Sequence, residues 1–585
     1  MTDNVAPETA FSSTAVLDQQ FHAALAKMTS SLSIGSAALA GVDWGIHLAV
    51  SPGKRIELAM LAMRQSAQLL RYVMQSPWHR FGAPDDNGQV LPLPVTDRRF
   101  ADPAWQQWPF NLLHQSFLLN EQWWSEATSN VWGVERHHAD VVGFAARQWL
   151  DIFSPGNQLA TNPEVLHKTI EERGANLLRG LHNELDNTAR LLSGTPAAGL
   201  ENFTVGQQLA VTPGKVVLKN QLIELMQYTP TTSKVHPEPI FIVPAWIMKY
   251  YILDLSPHNS MIKYLVDQGH TVFCLSWKNP GPDERNLGMD DYLQQGIVAA
   301  LGAIGDIVPK QAVHAVGYCL GGTLLSIAAA AMARDGDTRL ASMTLLAAQT
   351  DFAEPGELGL FIDDSQVSLL EAQMQEAGSL SAGQMAGAFQ MLRSYDLLWS
   401  QLIKQALMGE RDQMNDLMAW NADATRMPAR MHSEYLRRLF LHDDLSQGRY
   451  PVAGRPIALS DIDLPLFMVG TVTDHVAPWR SVHKMHYLSP AEITFVLTSG
   501  GHNAGIVSEP GHPHRHYQML TRAAGGNYVA PDQWQAEAPS FEGSWWTAWQ
   551  QWLAQRSSPP HKPPQLGSKR YPASADAPGS YVLEK

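Results

Sequence analysis

His314-Ala315-Val316-Gly317-Tyr318-Cys319-Leu320-Gly321-Gly322-Thr323-Leu324-Leu325-Ser326-Ile327-Ala328-Ala329 changes character at its centre. The first three residues read as the end of a buried strand, and the run from Gly322 to Met332 as an apolar helix. Between them, Gly317-x-Cys319-x-Gly321 has the form of a Gly-x-Ser-x-Gly nucleophile elbow with sulfur in place of the hydroxyl. Such a strand-to-helix turn holds its central side chain above the sheet and needs small residues on both sides. A thiol there argues for covalent acyl chemistry through a thioester. A free thiol ionises near pH ~8.5, so it needs a base or a helix N-terminus, and the elbow supplies the latter. The other cysteine, Cys274, lies mid-strand without a turn beside it and reads as core.

Outward from the elbow the chain alternates strand and helix. Strands are expected at 239–244, 271–277, 314–318 and 341–348, with helices at 260–269 and 290–308 between them. Val216 to Leu218 and Ile223 to Tyr228 read as short strands, and the rhythm resumes at 464–470 and 492–498. This is an α/β pattern: an open, mostly parallel central sheet with helices on both faces. From about 352 to 440 the segment is rich in Met, Leu, Gln and Ala and reads as helical, either a cap over the site or an added helical layer without a gating role. The first 200 residues are mainly helical, with patterns at 54–75, 111–121 and 128–149. Thr161 or Asn162 caps a further helix with Pro163 in its first turn, continuing to about Leu192. The expected division is a helical N-terminal domain over 1–200 and a catalytic domain over 201–585, with the cap inserted at about 350–440.

The 585 residues carry 42 basic and 56 acidic side chains, a net charge of -14, which argues against broad nucleic-acid binding. Two cysteines make no disulfide framework and fit a reducing compartment. The acidic start lacks the basic and apolar parts of a signal peptide, and no apolar window is long enough for a transmembrane segment. The 18 tryptophans are expected in core and pocket packing, with attachment to an apolar surface as the other reading.

A hydrolase-like site needs an acid and then a histidine downstream of the nucleophile. Asp474 follows the 464–470 strand, and His502 follows the next strand within Gly500-Gly501-His502-Asn503-Ala504-Gly505. Asp351 competes as the acid, although a cap or salt-bridge role suits it better. His475 adjoins Asp474 but would face another way. His512, His514 and His516 alternate in a loop, with no Cys or paired acids to complete a metal site. The elbow lacks a phosphate-loop lysine and dinucleotide glycine spacing.

The Cys319 box resembles the lipase-like box of polyhydroxyalkanoate synthases. The resemblance extends through Phe100-Ala101-Asp102-Pro103-Ala104-Trp105, Thr161-Asn162-Pro163-Glu164, Tyr250 to Leu255, Ser276-Trp277-Lys278-Asn279-Pro280, Asp474 to Trp479 and Gly501 to Gly505. It implies an α/β-hydrolase fold and an acyltransferase that polymerises (R)-3-hydroxyacyl-CoA, chiefly 3-hydroxybutyryl-CoA, into polyester with release of coenzyme A. It implies the single-subunit-type class, a homodimer, in the cytoplasm and on polyester granules, with granule-associated proteins as further partners and the N-terminal domain serving granule association and dimer stability. No cofactor is implied, since coenzyme A belongs to substrate and product.

On the same resemblance Cys319 carries the acyl group, His502 is its base, and Asp474 activates the substrate hydroxyl directly or through His502. The backbone N–H groups of Leu320 and Ala245 form the oxyanion hole. Trp246, Trp277 and Trp399 are expected as pocket walls or core, and Lys278, Arg393 and Arg480 as cations for coenzyme A phosphates. A cysteine-dependent acyl-CoA hydrolase or polyester depolymerase, and a non-enzymatic granule-coating protein, are the competing readings.

Overall fold

The computed structural model describes residues 13–29, 31–75, 95–385, 387 and 398–585. They form two compact units: the first contains the described residues of 1–32, 199–386 and 414–585, the second those of 33–198 and 387–413. Arg393 lies outside the described residues.

The first unit is built on a ten-stranded sheet. In chain order its strands are β1 (Gly214–Lys219), β2 (Ile223–Tyr228), β3 (Ile240–Val243), β4 (Val272–Trp277), β5 (Val313–Tyr318), β6 (Leu340–Leu346), β7 (Leu466–Thr471), β8 (Ile493–Thr498), β9 (His516–Arg522) and β10 (Ser540–Glu542). In space they follow the order β1-β2-β4-β3-β5-β6-β7-β8-β9-β10. β4, β3, β5, β6, β7 and β8 run parallel, while β2 is antiparallel to both its neighbours, as is β9. Every residue of β3, β4, β5, β7 and β8 is buried. Burial on both faces is why these strands read as unbroken apolar runs rather than alternating ones.

The helix Met261–Asp267 joins β3 to β4, and the elbow helix Leu320–Asp335 joins β5 to β6. Between β4 and β5 the helical run 289–307 widens into a π turn at Tyr292–Val298. Between β6 and β7 the cap region contains the helix Asp364–Ala377 and the helix Ala429–Tyr435, which continues as a π turn to Leu441. Two short strands, Ser379–Leu380 and Met427–Pro428, tie these two parts together.

β9 and β10 have no counterpart in the sequence reading, and His516, grouped there with loop histidines, begins β9. The Pro- and Gly-rich C-terminal stretch is also ordered against the sheet. Glu224 on β2 is buried, and it accepts the backbone N–H groups of Ser580 and Tyr581 at 2.8 and 2.9 Å.

The second unit contains the helices Ile34–Ala49, Pro52–Gln75, Phe110–Thr128, Arg136–Ile152, Pro163–Glu171 and Ala175–Ser193. Asn162 caps the fifth by accepting from the N–H groups of Glu164 and Val165. The helical stretch expected to run on to Leu192 breaks where Arg173 and Gly174 take φ values of 54° and 85°. Phe100, Trp105, Phe117, Leu118 and Leu150 form a core in this unit. Among the described residues no single helix is long and apolar enough to cross a membrane.

The first unit buries several histidines as neutral rings. Burial pushes His270 and His483 down to about 3, and His314 and His486 down to about 4. At these four rings the unfolded chain therefore binds more protons than the folded one once the pH drops below the ordinary histidine value of about 6.5, and the stability they contribute falls toward the folded values. Urea midpoints measured from pH 7.5 to pH 5, above the ordinary carboxylate range, should decline below about pH 6.5. Flat midpoints across that window would contradict the neutral burial of these rings.

Candidate active site

β5 delivers Cys319 at the turn into the elbow helix, with φ 52° and ψ -127°. A non-glycine residue held there stores about 1–3 kcal/mol of backbone strain. Close packing holds the turn in place. A Cβ on Gly317 would lie 2.3 Å from Gly322 Cα, one on Gly321 would lie 2.2 Å from the Val243 carbonyl oxygen, and one on Gly322 would lie 2.4 Å from Ala348 Cβ. The three glycines let the β5 end, the helix and the loop after β3 meet at backbone distance.

Asp474 sits in the loop after β7, and its side chain is fully buried. Its Oδ1 accepts the N–H groups of Val476 and Ala477 at 2.9 and 2.8 Å. Its Oδ2 accepts the Thr471 hydroxyl at 3.1 Å and lies 2.8 Å from His502 Nδ1. Burial alone would raise this carboxyl, but His502 and the two N–H donors outweigh it and hold it below the usual carboxylate range. Burial likewise pulls His502 down. The Asp474 carboxylate and the Cys319 side chain, by charge and hydrogen bond, more than reverse that and raise the ring well above the ordinary histidine value. His502 is thus bonded to the carboxylate and feels the charge of the sulfur as well.

The loop carrying His502 is braced from behind. Trp545 and Trp546, on the helix Trp545–Gln555, donate their indole N–H groups to the carbonyls of Gly505 and Ile506 at 3.0 and 2.9 Å. Tyr318 donates to Asn503 Oδ1 at 2.6 Å, and its ring lies 5.7 Å from that of His502. These braces escaped sequence reasoning, although the Trp-rich composition of the helix was visible.

Leu320 opens the elbow helix, so its N–H has no acceptor within the helix. Ala245 lies in the loop after β3, which meets the helix at Gly321. From the cap region, Tyr435 packs edge-to-face on Trp246 with ring centroids 6.1 Å apart. Burial, then the charge of Cys319, raises its phenol well above the ordinary value. Tyr435 was not singled out from sequence, where it is one aromatic residue in a helix.

Several of the other sequence candidates have structural partners. Asp351 accepts from Lys484 at 2.9 Å and Tyr487 at 2.7 Å, a salt-bridge role. Lys278 pairs with Glu284, and Arg480 pairs with Asp532 while its guanidinium stacks 5.0 Å over Trp479. Cys274 is buried in β4, where burial pushes its thiol far up. Trp246 and Trp277 are buried beside Tyr292, whereas Trp399 falls in the second unit. His512 pairs with Glu509, and no group of three metal-ligating side chains occurs among the described residues.

The strand order and the turn after β5 define the class, an α/β-hydrolase fold, whose family model matches residues 238–509. Two further models match, "Poly-beta-hydroxybutyrate polymerase (PhaC) N-terminus" over residues 96–265 and "Poly-beta-hydroxybutyrate polymerase N terminal" over residues 12–54. The chain is 40% identical to the poly(3-hydroxyalkanoate) polymerase of Methylorubrum extorquens, over 85% of this chain and 82% of the relative. It is 37% identical to the poly(3-hydroxyalkanoate) polymerase subunit of Cupriavidus necator, over 84% of each. The chain therefore belongs to the poly(3-hydroxyalkanoate) polymerase family, and it is an enzyme of the acyltransferase type.

The crowding at the elbow yields a paired test. Gly321→Ala should cost about 1–3 kcal/mol by overpacking against the Val243 carbonyl. Gly302→Ala, on an exposed helical position with nothing within 4 Å, should gain about 0.5–1 kcal/mol. Thermal unfolding of both variants checks this, and equal behaviour would show that the elbow is not packed as described.

Proposed function

We propose that this protein polymerises (R)-3-hydroxyacyl-CoA, chiefly 3-hydroxybutyryl-CoA, through a thioester on Cys319. The observation that carries this reading is His502, which lies 2.8 Å from Asp474 and is raised well above the ordinary histidine value by the charges of Asp474 and Cys319. In acylation the Cys319 sulfur attacks the thioester carbonyl, and the N–H groups of Leu320 and Ala245 stabilise the oxyanion. The intermediate collapses with loss of the coenzyme A thiolate, which takes a proton from His502. One thioester replaces another, so the acyl-enzyme stays reactive. In elongation His502 removes the proton from the 3-hydroxyl of another hydroxyacyl group. The oxygen attacks the enzyme thioester, an ester bond forms, and Cys319 leaves as thiolate.

Asp474 acts through His502 in this scheme. Its two oxygens already accept four hydrogen bonds, so no lone pair is left facing a substrate hydroxyl. The preference for short side chains rests on the likeness of the Cys319 box and the Ser276-Trp277 region to the family pattern. The cap region excludes water from the thioester, and the approach of Tyr435 to Trp246 and Cys319 supports that role.

The helical N-terminal domain over 1–200 serves granule association in the cytoplasm and stabilises a homodimer. Leu39, Val42, Ile46 and Val50 are exposed at helical spacing, as are Ile56, Met60, Met63, Leu70 and Met74. Rows of this kind suit an apolar polymer surface.

Purified protein given 3-hydroxybutyryl-CoA should release coenzyme A and form insoluble polyester. Free 3-hydroxybutyrate as the sole product would favour the hydrolase reading instead. Cys319→Ala should abolish coenzyme A release; unchanged release would defeat the thioester mechanism. Asp474→Asn and His502→Ala should slow polymer formation by about 10²–10⁴-fold, and a full rate in His502→Ala would remove it as the base.

A further inference from the structure

Trp277 ends β4 with its ring buried, and its indole N–H donates to the Pro244 carbonyl oxygen at 2.9 Å. That carbonyl shares one planar peptide unit with the Ala245 N–H. The unit is trans, because cis bonds among the described residues occur only at Trp108-Pro109 and Ala577-Pro578. In a trans unit the carbonyl and N–H point to opposite edges, so fixing the oxygen fixes the direction of the N–H. The same unit abuts the elbow helix: a Cβ on Gly321 would lie 2.5 Å from the Pro244 oxygen. Leu320, one residue before, offers the neighbouring N–H. Both Ala245 and Leu320 are buried, and neither N–H has an acceptor among the described residues. Buried donors without partners are rare in folded proteins and point to a ligand oxygen.

The indole itself cannot swing. A Cβ on Gly296 would lie 2.5 Å from the Trp277 ring, and Tyr292 packs on it with centroids 5.1 Å apart. From the cap region, the Thr425 hydroxyl donates to the Trp246 carbonyl at 2.9 Å, and the Trp420 indole donates to the Lys249 carbonyl at 2.7 Å. The loop after β3 is thus clamped at the carbonyls of Pro244, Trp246 and Lys249 from the sheet side and the cap side.

We propose that Trp277 is a positioning residue, which aims the Ala245 N–H at the oxyanion formed on Cys319, with Thr425 holding the Trp246–Ile247 peptide, two units further along the same loop, in place. The proposal rests on the reading of Ala245 as an oxyanion donor.

The test is Trp277→Phe, which keeps an aromatic ring and removes the N–H. Rapid-quench measurement of the first coenzyme A released from 3-hydroxybutyryl-CoA should slow by about tenfold or more, short of the ~10²–10³ lost when an oxyanion donor is deleted outright. KM and the rate of Cys319 alkylation by iodoacetamide should stay within about twofold, because neither depends on oxyanion stabilisation. Thr425→Val should slow the same first release and Thr425→Ser should restore it, a pair that decides the matter if Trp277→Phe is insoluble. First release at the wild-type rate in Trp277→Phe and Thr425→Val would overturn the proposal. So would an equal loss of alkylation and release, which would mean the ring only supports the Cys319–His502 pair. A wild-type protein yielding free 3-hydroxybutyrate would refute the polymerase reading but leave the positioning test readable, since acylation precedes either outcome.

Discussion

The backbone strain at Cys319 is the constraint on which the rest of the site depends. A residue at φ 52° and ψ -127° returns to an ordinary conformation unless its surroundings forbid it. Here they forbid it by contact. Gly317, Gly321 and Gly322 are pressed against Gly322, the Val243–Pro244 backbone and Ala348, so relaxation of the turn would drive backbone into backbone. The contacts that hold the sulfur above the sheet also bring the loop after β3 to the first turn of the elbow helix. Strain at one residue and the close approach of two backbone segments are one packing event.

The polar half of the site is organised by burial. A fully buried carboxylate is costly unless every lone pair is used, and Asp474 uses both oxygens. Its remaining influence is electrostatic and acts on His502, which is pulled down by its own burial and raised by the charges on either side. An imidazole whose protonated form is favoured between a carboxylate and a sulfur suits an acylation in which the leaving group is itself a thiolate. On the proposed mechanism the proton has only to shuttle on and off one ring as sulfur replaces sulfur.

Legibility in the sequence followed burial and residue type. The parallel strands are buried on both faces, so their apolar runs announced them. β9 is partly exposed and β10 fully exposed, so neither carried a continuous apolar signal. Cys319, Asp474 and His502 could be singled out as candidates because each is a chemically distinctive side chain in the turn or loop after a predicted strand. The C-terminal stretch was not, because it is anchored by backbone N–H groups on Glu224, and a backbone donor leaves no mark on composition. Lys278 and Arg480 show the converse: a basic residue in a plausible place gave no hint that Glu284 and Asp532 already claim it.

Tryptophan shows how a residue type can be noticed while its work is missed. Counted in the sequence, the indoles are bulk for core and pocket. In the fold, Trp277, Trp420, Trp545 and Trp546 each spend their single N–H on a main-chain carbonyl of a loop at or beside the site. A large rigid ring fixed by packing is a better anchor for such a bond than a flexible polar chain, since little entropy remains to be lost. The loop of His502 and the loop of Ala245 are both held in this way, one from the C-terminal helix and the other from β4 and the cap region. Neither loop has a ladder of its own to stiffen it, and here indole-to-carbonyl bonds supply the missing rigidity.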